Sequence, residues 1–110
     1  MRYKHTISKN ILKIKFDGDI IGEQNGPDLI ELVNEKLNIG IKYSFLDISH
    51  VRYINSSGIG VLITVLTKFR NKNGDMYIIN PSEYVRKLLI ITKLETIFNI
   101  VESESEVSLL

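Results

Sequence analysis

Tyr43-Ser44-Phe45-Leu46-Asp47-Ile48-Ser49, followed after a short loop by Ile54-Asn55-Ser56-Ser57-Gly58-Ile59-Gly60-Val61-Leu62, decides the fold class. Phe45, Leu46 and Ile48 form a near-continuous apolar run, as expected of a central strand in a parallel sheet. The second segment opens a helix predicted over Ser57 to Asn73, with Ile59, Leu62, Ile63, Leu66 and Phe69 on one face and Gly74 ending it. Val61 and Val65 make a second stripe, expected to pack against a neighbouring helix. The β-branched residues here favour strand on propensity alone, but the length of the segment and its glycine boundaries favour helix.

Upstream, Tyr3 to Ser8 reads as a strand. Lys9-Asn10 suits a two-residue turn, and Ile11 to Phe16 returns with Leu12, Ile14 and Phe16 on one face. Asp17-Gly18-Asp19 breaks that alternation, and Gly22 to Gly26 is a loop. Pro27 fits the first position of a helix, with Asp28 and Glu31 in its first turn. Leu29, Val33 and Leu37 form its stripe, and Gly40 ends it.

Downstream, Met76 to Ile79 is a short buried strand. Asn80-Pro81-Ser82-Glu83 reads as a helix start, with Asn80 as cap, Pro81 in first position and Glu83 reaching back. Val85, Leu88, Leu89 and Thr92 continue that helix. Phe98 to Val101 is a last strand. Ser103 and Glu106 repeat the capping-box spacing, so Ser103 to Leu110 is expected either to form a short terminal helix or to fray, since so short a helix has little intrinsic stability. The order β-β-α-β-α-β-α-β-α implies an α/β fold in one domain, 1–110. Its sheet is mixed but mostly parallel, with an N-terminal antiparallel hairpin and about four helices.

Composition narrows the function. The chain has 110 residues, a net charge of +1 and no cysteine, so thiolate metal sites, disulfides and cysteine nucleophiles are excluded. The basic residues are dispersed, and the nearest cluster, Lys68, Arg70 and Lys72, complements a helix C-terminus rather than nucleic acid. His5 and His50 lack the spacing of a metal site. No apolar run is long enough to cross a bilayer, and Met1 to His5 lead into no signal region, so a cytoplasmic protein without cofactor is expected.

The densest cluster of special residues is Asn55 to Gly60. Ser56, Ser57, Gly58 and Gly60 are small enough for a backbone or a phosphate to approach. The first turn of the following helix offers free N–H groups and a favourable dipole. A phosphate on Ser56 or Ser57 is therefore compatible with the fold, and it adds charge and three acceptor oxygens to the surface. The plainer reading is that serine caps the helix.

The wider pattern extends this. Asp47-Ile48-Ser49, Val51 and Ile54-Asn55-Ser56-Ser57-Gly58-Ile59-Gly60-Val61-Leu62 resemble the signature of STAS domains, specifically the bacterial anti-sigma factor antagonists. Asn80-Pro81-Ser82, Val85-Arg86-Lys87-Leu88-Leu89, Thr92-Lys93-Leu94 and Ile97-Phe98 resemble a second stretch of that family. The resemblance implies that Ser57 is phosphorylated by a partner serine kinase that also serves as the anti-sigma factor, and that a PP2C-type phosphatase reverses the modification. It also implies that the dephosphorylated form binds the anti-sigma factor and frees a sigma factor. By the same resemblance Asp19, Gly22, Asn55, Ser56, Ser57, Gly58, Ile59 and Val61 form the partner surface of a monomer or weak dimer. Asn55 stands where the family often has Asp, and loss of that carboxylate is expected to weaken any role in orienting the hydroxyl.

Three other readings compete. A triad of Ser57, His50 and Asp47 lacks the nucleophile elbow and the residue order of a hydrolase. Ser57-Gly58-Ile59-Gly60 lacks the lysine of a phosphate-binding loop. STAS domains also serve as accessory subunits of lipid-transport ATPases and as scaffolds of stress-signalling complexes, and the Ser-Ser-Gly turn does not separate these roles.

Overall fold

The computed structural model describes residues 1–108. A five-stranded sheet in the order β1-β2-β3-β4-β5 carries three α-helices. Strands β1 (Tyr3–Ser8) and β2 (Ile11–Asp17) form the antiparallel hairpin, and Lys9 and Asn10 both take positive φ, 54° and 63°. Such angles match the twist of a two-residue hairpin turn to that of its strands. Parallel pairing then adds β3 (Tyr43–His50), β4 (Asp75–Ile79) and β5 (Asn99–Val101) in sequence order. The crossovers are α1 (Gly26–Asn38), α2 (Ser56–Asn71) and α3 (Glu83–Ile91). Right-handed crossovers advancing in one direction place their helices on one face of the sheet.

That face is the core. Leu12, Ile14, Phe16, Leu46, Ile48, Met76 and Ile78 from the strands pack with Leu29, Val33, Leu62, Val65, Phe69, Val85 and Leu89 from the helices. On the opposite face Phe45 meets Tyr77 edge to face, with ring centroids 5.8 Å apart. Lys13 stands 6.0 Å over the Phe45 ring and pairs with Glu104 at 2.6 Å, which draws the C-terminal segment across this side.

Five expectations need correction. The sheet-facing line of α2 is Gly58, Leu62, Val65 and Phe69, joined by Leu66, whereas Ile59 and Ile63 are only half-buried. The line starts at a residue without a side chain, so apolar spacing alone rotated the helix. Val65 is thus core, and Val61 alone of the second stripe meets α1, at Gly26. Helix α2 also begins one residue earlier than expected, capped by Asn55.

The cap of α3 is Ser82, not Asn80. The Asn80 N–H still donates to Val101 at 2.8 Å, so the chain belongs to the sheet for one residue more, and Pro81 lies outside the helix. Finally, the fourth helix reduces to a 3₁₀ turn, Glu104–Glu106, beside another at Leu94–Thr96. Its capping box does form, with the Glu106 carboxylate accepting from the Ser103 N–H at 2.8 Å. Positions 109 and 110 of the predicted terminal helix lie outside the described residues.

Candidate functional site

The loop after β2 and the loop after β3 meet at the start of α2. An isolated parallel bridge joins Ile20 to Ile54, with the Ile20 N–H donating to Tyr53 at 2.9 Å and the Asn55 N–H donating to Ile20 at 3.2 Å. This brings Gly22 and Glu23, more than thirty residues away in sequence, against Ser57. Two glycines permit the contact. A Cβ on Gly22 would lie 2.3 Å from the Ser57 carbonyl carbon, and one on Gly58 would lie 2.5 Å from the Ile20 carbonyl oxygen. Both approaches are closer than a side chain allows.

Asn55 organises the turn. Its Oδ1 accepts from the Gly58 N–H at 2.7 Å, the helix cap, and from the Gly22 N–H at 3.1 Å. Its Nδ2 donates to Glu23 Oε1 at 2.8 Å. The Ser57 hydroxyl donates to the same carboxylate oxygen and also lies 3.1 Å from Asn55 Oδ1. With a single proton to give, that hydroxyl favours the charged acceptor. The Ser57 hydrogen bond, followed by the Asn55 amide, holds the Glu23 carboxyl below its ordinary pKa. Because Asn55 caps the helix, the half-buried Ser57 hydroxyl has no part in ending α2. The Ser56 and Ser57 N–H groups sit in the first turn, where a helix has no internal acceptor for them.

Beside this turn α1 and α2 frame an open groove of about 640 Å³. Pro27, Ile30 and Val61 give it an apolar lining, and Glu23 and Glu31 are its ionisable groups.

The expected site residues separate into two groups. Gly22, Asn55, Ser57 and Gly58 converge, and Val61 extends the surface along the groove. Ser56 is exposed and Ile59 half-buried on the first turn. Asp19 sits before the bridge with its Oδ1 buried and unpartnered among the described residues. Glu23 was missed. Its one signal is indirect: Asn55 lacks the carboxylate expected there, and Glu23 supplies one from the neighbouring loop. The imagined triad does not assemble, since Asp47 accepts from the backbone and hydroxyl of Ser49, at 3.0 and 2.7 Å, and Ser57 turns to Glu23. Among the described residues no helix is long and apolar enough to cross a membrane.

The STAS domain family model matches residues 3–107, nearly the whole described chain. The chain belongs to the STAS family. A Thermotoga maritima protein provisionally named an anti-sigma factor antagonist is 33% identical over 73 residues, 66% of this chain and 65% of that protein, a little under two thirds of its length. The anti-sigma-B factor antagonist of Staphylococcus aureus strain NCTC 8325 is 24% identical over 76 residues, 69% of this chain and 70% of that one. The crystal structure of a Thermotoga maritima protein provisionally named an anti-sigma factor antagonist superimposes with a TM-score of 0.84 at 26% identity, covering 94% of this chain and 89% of that one. The unphosphorylated anti-sigma factor antagonist SpoIIAA shares the fold, with a TM-score of 0.73 at 12% identity over 96% of this chain and 92% of its own.

Proposed function

We propose that this STAS domain, the 1–110 unit, is an anti-sigma factor antagonist switched at Ser57. Its unphosphorylated form binds an anti-sigma factor that is also a serine kinase, and so frees a sigma factor. Phosphorylation of Ser57 ends that binding, and a PP2C-type phosphatase restores it. The observation that carries this reading is the position of Ser57: its hydroxyl is reachable, is not needed as a cap, and lies on a helix turn whose N–H groups accommodate negative charge.

The partner surface comprises the turn Asn55 to Ile59, the loop from Asp19 through Gly22, and Val61 in the groove. Ser57→Asp is expected to leave the fold intact while weakening the partner, because a charge that suits the helix N-terminus is misplaced in a closely packed interface. Circular dichroism and pull-down with the partner kinase measure the two effects, and equal binding by wild type and variant refutes the switch. Phosphopeptide mapping after incubation with that kinase and ATP is expected to find phosphate on Ser57; phosphate on Ser56, or on neither serine, refutes the assignment.

A further inference from the structure

We propose that Glu23 reads the state of Ser57: it holds the free hydroxyl, and a phosphate on that hydroxyl expels it and releases the loop between β2 and α1. This rests on the reading of Ser57 as the phosphorylated residue.

In the unmodified chain, beyond the backbone bridge at Ile20, three polar contacts bind the Gly22–Glu23 part of this loop to the start of α2. Ser57 Oγ and Asn55 Nδ2 both donate to Glu23, and the Gly22 N–H donates to Asn55. Phosphorylation removes the hydroxyl proton that Glu23 accepts and replaces it with a group that only accepts. The added charge, about −1.5 to −2 at neutral pH, then faces a carboxylate. The groove beside the turn brings no cation, since its other ionisable group is Glu31 on α1. The phosphate has two sources of donors: the first-turn N–H groups of α2, and the Asn55 amide now held by Glu23. Taking the second of these displaces Glu23, which is exposed and has room to leave.

The amide at position 55 suits this exchange. An aspartate there would set a second carboxylate against Glu23 even before phosphorylation. Asparagine holds Glu23 in one state and is free to donate to phosphate in the other. Gly22 and Glu23 both line the groove, so releasing them reshapes the wall of the proposed partner surface as well as changing its charge.

The full chain with phosphoserine genetically encoded at position 57, compared with the unmodified chain, tests this without a kinase. Carboxyl-carbon NMR is expected to place the Glu23 midpoint below the ordinary value of 4.5 in the unmodified chain. In the phosphoserine chain it should rise by about one pH unit or more, from lost hydrogen bonds and added repulsion. Exchange of the Gly22 amide should accelerate about tenfold, the equivalent of one lost hydrogen bond. In the phosphoserine chain, Glu23→Gln should restore Gly22 protection, because glutamine donates to the phosphate while still accepting from Asn55. An equal Glu23 midpoint in the two forms, or equal Gly22 protection, overturns the proposal. A kinase that modifies another residue overturns the Ser57 reading instead, so the two failures are distinguishable.

Discussion

Ser57 and Ser82 both follow a sheet strand and both stand at a helix start, yet the fold uses them differently. Ser82 is the cap of α3: its hydroxyl accepts from the Val85 N–H at 3.4 Å and donates to the Val51 carbonyl at 2.8 Å. Both partners are backbone, and the second ties α3 to the loop leading into α2. Ser57 lies two residues inside α2, where Asn55 has already taken the cap, and its hydroxyl turns to an exposed side chain. A phosphate on Ser82 would remove a structural donor, whereas one on Ser57 costs the helix nothing. The availability of a serine thus depends on which neighbour ends the helix, more than on the serine itself.

The strongest way to break this contrast is to force the two loops of the Ser57 turn apart. Gly22→Ala drives a methyl into the Ser57 backbone, and urea unfolding is expected to show a loss of about 3 kcal/mol, the cost of overpacking a site that cannot yield. Asn55→Ala should cost about 2 kcal/mol, since it removes the cap of α2 and leaves the Gly22 N–H without its acceptor. A mild effect at Asn55 would mean that Ser57 carries the cap after all.

The serines themselves give the next smaller difference. Ser82→Ala should cost about 1 kcal/mol, the usual loss on removing a helix cap. Ser57→Ala should stay within about 0.5 kcal/mol of wild type, because the one bond it loses goes to an exposed carboxylate that water can satisfy instead. Denaturant midpoints of the two variants compare them directly, and a cost at Ser57 equal to that at Ser82 would erase the distinction.

These positions also show what the sequence discloses and where it stops. The hairpin was legible because Lys9-Asn10 interrupts two alternating runs, and the α/β order because apolar periods change at glycines and prolines. The chemistry of the caps was legible at both helix starts, but not their positions. Asn80 is held in the sheet by a bond to Val101, and Val101 lies more than twenty residues further on. Ser57 was readable as a serine in a helix turn, but its acceptor was not. Glu23 reaches it only because the Ile20–Ile54 bridge folds one loop onto another, and no local spacing encodes that bridge.

The smallest expected effect separates the serines by pH. Glu23 has a folded pKa below its ordinary value of 4.5, so its contacts stabilise the charged form. That contribution is complete above the unfolded pKa and fades as pH falls through the lower, folded one. The stability difference between wild type and Glu23→Gln should therefore grow in favour of wild type between acid and neutral pH. Solvent screening at this exposed position keeps the change small. The difference between wild type and Ser82→Ala should stay level over the same interval, because both partners of Ser82 are backbone groups that do not titrate. Urea unfolding of the three proteins at acid and neutral pH compares the two dependences. A flat Glu23→Gln difference would mean that the carboxylate is not bound to Ser57 in solution, and the contrast between the serines would then rest on the caps alone.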